Sequence, residues 1–114
     1  VDEQPARMFA QLQDIGNRYL ARTLRDVDQL RSLVAQGMAG DAHSAKASEQ
    51  LAHTIHGSGA MFGFDELSEL AGQIERLVSQ RTADLASVGP ALTTLLSQLQ
   101  HAVQQAATAR GVSA

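Results

Sequence analysis

The sequence predicts an all-α fold, an antiparallel up-down-up-down four-helix bundle with an additional short N-terminal helix. Three observations carry that prediction. Ala, Leu, Gln and Arg are abundant, with 2 Pro and no Trp, and such side chains lose little rotamer freedom in a helix. Apolar residues recur at i, i+3, i+4 and i+7 along the chain. The links between the second, third and fourth helices are short, which forces neighbouring helices to run antiparallel. The 114 residues fit one domain, and the 44% apolar fraction suffices for one modest core.

Each element has its own signal. Met8, Phe9, Leu12 and Ile15 predict a first helix over about residues 5–15, opened near Pro5 and packed on or capping the bundle. Gly16 and Asn17 predict a break. Tyr19, Leu20, Leu24, Val27, Leu30, Leu33 and Val34 then hold a period near 3.6 and predict a long amphipathic helix. Asp14–Arg18 and Arg22–Asp26, each four apart, support its outer face by about 0.2–0.5 kcal/mol per pair. Gly37 and Gly40 end it, and Asp41 is a suitable N-cap for the third helix. That helix runs to about Phe62, with Gly63 as the turn residue past its end. Asp65 and Glu66 open the fourth helix, where negative charge suits the dipole, and Leu67, Leu70, Ala71, Ile74, Leu77 and Val78 form its stripe. A polar loop spans roughly residues 80–89. Pro90 then opens a last helix with Leu92, Leu95, Leu96, Leu99 and Val103 on its apolar face. The bundle extends over about residues 17–108, and the tail from Ala107 is expected to fray.

The composition narrows the function. A net charge of −3 argues against a general nucleic-acid surface. There is no cysteine, so disulfides, thiolate catalysis and Cys-based zinc sites are excluded, which suits a reducing compartment. The apolar runs are far shorter than the roughly 20 residues that cross a bilayer. The start, Val1 to Met8, is acidic and polar and reads as no signal peptide. It also lacks an initiator Met, which points to processing or to a domain of a longer protein. Arg7, Arg18, Arg22, Arg25 and Arg31 crowd the first third, whereas Glu66, Glu69 and Glu75 come later.

The chemistry concentrates between Leu51 and Phe64, LAHTIHGSGAMFGF. With Ile55 taken as the core direction, His53 falls about 160° away, at 100° per residue. Lys46, Gln50, Gly57 and Ala60 share this outer stripe, His56 and Glu49 lie on one flank, and Ser58, Gly59 and Phe62 fall on the inner side. Gly in a helix interior costs about 1 kcal/mol against Ala. Gly59 fits close helix packing, but Gly57 faces outward and instead clears ground for a large group beside His53. A neutral imidazole is a competent nucleophile toward phosphorus. The tetrahedral dianion it receives needs space from Gly57, cations such as His56 and Lys46, and a donor such as Ser58 reaching round the helix. Gln50 is a candidate to hold one ring nitrogen and set its tautomer.

His53-Thr54-Ile55-His56-Gly57-Ser58, then Gly63, Leu67 and Leu70, resemble the histidine-containing phosphotransfer (HPt) domain family. Its pattern is approximately His-x-Leu-Lys-Gly-Ser/Ala, with a Gly about six residues on and a leucine-rich helix ending near a Glu, a place Glu75 takes here. The specific motif covers residues 51–75, and the helical layout extends it across most of the chain. The resemblance implies a monomeric, cytoplasmic phosphoryl carrier, standing alone or as the C-terminal domain of a membrane-bound hybrid kinase. His53 is then the phosphoacceptor, passing phosphate between aspartates of receiver domains in response regulators or hybrid kinases. It implies no kinase or nucleotide site, no cofactor and no metal, because the receiver brings the Mg²⁺. Receiver contacts are expected from Ala60, Met61 and Phe64, with Arg18 and Arg22 as a basic rim. The family's Lys three residues after the histidine is His56 here. Lysine stays charged where histidine titrates, so a phosphate-contacting His56 implies pH-dependent transfer.

Three other readings stand beside this one. The chain fits the phosphate-accepting domain of a chemotaxis-type histidine kinase. It fits a metal-binding bundle using His53, His56, Glu49 and His43, although bundle metal sites face inward. It also fits an adaptor with no chemistry.

Overall fold

The computed structural model describes residues 4–114, so the acidic start at Val1–Glu3 lies outside the described residues. The described residues form four α-helices, α1 Gln4–Met38, α2 Ala42–Met61, α3 Asp65–Gln80 and α4 Gly89–Ala109. A single 3₁₀ turn, Leu85–Val88, precedes α4. No strand occurs among the described residues. Each helix packs on the next, and α1 also packs on α4, which closes the ring.

The stripes read from the sequence form the shared core. Leu20, Val27, Leu30 and Val34 of α1 meet Ala45, Ala52 and Ile55 of α2, Leu67, Ala71, Ile74 and Val78 of α3, and Leu92, Leu96, Leu99 and Val103 of α4. Tyr19, Leu24, Leu70, Leu77 and Leu95 are half-buried at its edge.

Helix ends follow the expected chemistry. The Asp41 carboxylate accepts from the backbone N–H groups of His43 and Ser44, at 3.1 and 3.2 Å, capping α2. These bonds, that of Ser44 foremost, hold its carboxyl below the ordinary range. At the other end Gly63 takes φ +82°. Its N–H bonds the Ala60 carbonyl while that of Phe64 bonds Gly59, at 3.2 and 2.8 Å. This paired closure needs a left-handed residue, which glycine adopts at no steric cost.

Several expectations are corrected. The short N-terminal helix is not a separate element, because α1 runs unbroken through Gly16 and Asn17. One glycine costs only about 1 kcal/mol in a helix, less than ending it and starting another. Gly16 instead receives Arg110 from the end of α4: a Cβ there would lie 2.5 Å from Arg110 Nη1. Nor does this segment pack on the bundle, since Met8, Phe9, Leu12 and Ile15 are all exposed. The loop near residues 80–89 contains the 3₁₀ turn, whose Leu85 is buried and reaches Gly37. Past Ala107, α4 continues to Ala109, and Gly111 turns the chain back so that Val112 packs on the core.

Candidate functional site

His53 lies in the middle of α2 on its outward side, with 70% of its side chain exposed. Its Nδ1 stands 2.7 Å from Glu75 Oε2 of α3, a carboxylate that is itself only 25% exposed. An ionised carboxylate can only accept, so Nδ1 carries the proton and donates it. In the neutral ring Nε2 then keeps its lone pair. Gly57, one turn on, has no atom within 4 Å of the place a Cβ would take. The fold itself therefore makes no demand for glycine at this position. What α2 displays is an outward ring nitrogen beside cleared ground.

Glu75 reaches His53 because α2 and α3 approach closely along one line of α3. Ser68, Gly72 and Glu75 recur at i, i+4 and i+7 on that line. A Cβ on Gly59 would lie 3.0 Å from the Ser68 backbone nitrogen, and one on Gly72 would lie 2.8 Å from His56 Nδ1. Gly59 thus serves helix packing as expected. Gly72 is a seat for the His56 ring.

That seat ties His56, expected to contact phosphate, to α3. The half-buried ring turns to α3, where Nδ1–H donates to the Ser68 carbonyl at 2.8 Å. In return the Ser68 hydroxyl donates to the His56 carbonyl at 2.6 Å. The ring edge lines a surface groove with Asp65, Glu69 and Arg76.

Gln50 is exposed on the outer stripe, and the carboxylate that bonds a ring nitrogen of His53 is that of Glu75. Ser58 turns toward α1: its hydroxyl donates to the Thr54 carbonyl at 2.8 Å and lies 3.1 Å from Tyr19 Oη. A serine oxygen that back-bonds within its own helix does not reach round to His53.

The remaining residues divide between surface and interior. Lys46 is exposed two turns before His53 and pairs with Glu49 at 2.7 Å. That bond, helped by the Ser79 hydroxyl, holds the Glu49 carboxyl below its ordinary range. Ala60 and Met61 are exposed on α2, Met61 by 79%. Phe64 belongs to the interior side, stacked on Tyr19 with centroids 5.6 Å apart and covered by Arg110, 5.0 Å from its ring. Arg18 and Arg22 are exposed and paired with Asp14 and Asp26, at 2.7 and 3.7 Å. Sequence reasoning left Glu75 without a role and missed Ser68 and Gly72. The signal lay in their 4- and 3-residue spacing on one helix face, which shows that they share a side but not what stands opposite.

Among the described residues no group of three His, Asp or Glu side chains is placed to hold a metal ion, and no helix is long and apolar enough to cross a membrane. No curated protein and no solved structure matches the chain. A family model does: that of the Hpt domain matches residues 17–109, a span that contains His53, Gly57 and Glu75 and all four core-forming stripes. With most of its length covered by that match and an outward histidine at the centre of its second helix, the chain belongs to the Hpt domain family, the histidine phosphotransfer modules of two-component phosphorelays.

Proposed function

We propose that the protein relays phosphoryl groups between receiver-domain aspartates through Nε2 of His53. The observation that carries this reading is the His53–Glu75 bond at 2.7 Å beside the open ground at Gly57. Hpt domains are carriers that rely on receiver domains as partners. In the proposed step the Nε2 lone pair attacks phosphorus of a receiver's aspartyl phosphate. The P–N bond forms as the P–O bond to the aspartyl oxygen breaks, and that oxygen leaves as carboxylate. The proton remains on Nδ1, shared with Glu75, which steadies the positive charge the ring acquires. The return step is the same in reverse, with a second aspartate as nucleophile. Positioning and charge neutralisation dominate such transfers, and the receiver's Mg²⁺ supplies the charge.

The helices run up-down-up-down in this reading, so α2 and α3 hold His53 and Glu75 side by side. A receiver covers α2 over Gly57 and Ala60, with Lys46 and the arginines Arg18 and Arg22 at its margin. Their positive charge speeds encounter with an acidic active site. His56 is a positioning residue: its reciprocal bonds with Ser68 fix the register of α3 against α2, and so the place of Glu75. Gln50 and Ser58 border the site without touching the reacting nitrogen.

Incubation with a phosphorylated receiver tests the function. Phosphate should appear on the chain in an acid-labile, base-stable form, and a fresh receiver should remove it. No label from any receiver of the same cell would sink the reading. The role of Glu75 has its own test in single-turnover uptake. Glu75→Ala should slow uptake roughly 10–100-fold, the scale seen when an orienting partner of a functional histidine is lost. Glu75→Gln keeps an acceptor oxygen and should restore most of the rate. Equal rates for all three chains would remove Glu75 from the mechanism.

A further inference from the structure

The first turns of α1 carry a feature that phosphotransfer does not use. The family match begins at residue 17, whereas α1 begins at Gln4. Phe9, Leu12, Ile15 and Gly16 line one groove with Met61 and Phe62 at the end of α2. The stretch of α1 before the matched span, Gln4 to Gly16, lengthens the helix by about 20 Å at 1.5 Å per residue. The long dimension of the molecule, 61 Å against 20 and 19 Å, follows the 35-residue α1.

This face is apolar and open. Met8, Phe9, Leu12 and Ile15 are 61, 63, 62 and 44% exposed, and the adjoining Met61 and Phe62 are 79 and 39% exposed. Taking about 200 Å² for each side chain of this size when free, these six present roughly 700 Å². That exceeds the roughly 300–600 Å² patch typical of a monomer. It is close to the roughly 800 Å² that each partner contributes to a standard protein interface.

We infer that this face pairs with its counterpart on a second copy of the chain. Spacing and charge both favour this occupant. Met8, Leu12 and Ile15 repeat at intervals of four and three, the spacing of a helix–helix seam. Between Gln4 and Gly16 the only charged residues are Arg7 and Asp14, so two such faces carry no net repulsion and offer nothing to a highly charged partner. Run antiparallel about a two-fold axis near Leu12, the seam is self-complementary. Met8 of each copy lies against Ile15 of the other, and each Phe9 packs on the other copy's groove of about 490 Å³, which that copy's own Phe9 lines together with Met61 and Phe62. Two faces together present roughly 1,400 Å² for burial, within the range of stable specific interfaces. The pairing replaces the monomer implied by the family resemblance. His53 lies about 12 Å along α2 from Met61, at 1.5 Å per residue, and so outside the seam.

Light scattering on the full chain across about 1 µM to 1 mM, the range of ordinary reversible association, reads this directly. The mass should rise from 12.1 kDa toward twice that value. The Phe9→Gln/Leu12→Gln double variant should stay at the single-chain mass throughout, with the same helicity. A wild-type mass that never rises, or a double variant that associates equally well, overturns the proposal. A second measurement stands even if that variant misfolds. The chain has no cysteine, so single cysteines can be introduced at exposed sites. Under mild oxidation Gln11→Cys, beside the two-fold axis, should cross-link at least tenfold faster than Gln98→Cys on α4. Equal rates overturn the inference.

Discussion

His53→Gln abolishes phosphoryl acceptance and leaves the fold intact; this is the expected result of the most direct substitution. Glutamine keeps a polar side chain with an N–H donor for Glu75 but presents no nucleophilic nitrogen, so uptake from a receiver falls to background. The side chain is 70% exposed, and surface substitutions usually change stability by no more than about 0.5 kcal/mol. For a domain of this size that corresponds to a shift of about 2–4 °C in Tm. His43 and His101 are exposed as well. Among the described residues, however, His53 alone joins a carboxylate-held ring nitrogen to bare helix surface one turn away. Radiolabel retention and thermal unfolding measured on the same sample check both halves. Residual label would assign the chemistry to another histidine, and a collapse of helicity would contradict the exposed placement of His53.

At Gly57 stability and transfer should move in opposite directions. Gly57→Leu places a strong helix former in a helix interior, with no neighbour within 4 Å of its Cβ. The gain expected from propensity alone is about 1 kcal/mol, or about 4–8 °C in Tm. The same side chain fills the ground over which a receiver must settle. Transfer from a phosphorylated receiver should drop at least tenfold, and Gly57→Ala should lie between the two. Uptake from a small-molecule phosphodonor needs no such ground and should fall far less, which separates docking from chemistry. Unchanged receiver transfer, or a lower Tm, would leave the glycine without the role given to it here.

What was legible in the sequence is what one helix can tell about itself. Periodicity placed Leu20, Val27 and Leu30 inward and His53 outward. Asp41 and Gly63 marked helix ends because capping and left-handed turns depend on a few adjacent residues. Relations between helices were not legible in that way. Gln50 and Glu75 were both polar and near enough to serve His53, and only the packing of α3 on α2 chooses between them. His56 read as a cation beside the site because its i+3 spacing is visible, whereas the seat at Gly72, sixteen residues later, becomes visible only when the helices are in register. Gly16 read as a break because its cost is local. Its neighbour Arg110 arrives from the far end of the chain.

The bond between His53 and Glu75 joins a surface ring to a different helix, and this makes the ring a spectroscopic gauge. In the folded chain Glu75 selects which nitrogen holds the proton, while in an unfolded chain no carboxylate is fixed there to make the choice. The ¹⁵N shifts of the His53 imidazole therefore report whether α3 lies correctly along α2. A substitution anywhere on that interface, at Gly59, Ser68 or Gly72, would announce itself at the His53 ring before any loss of helix could be seen.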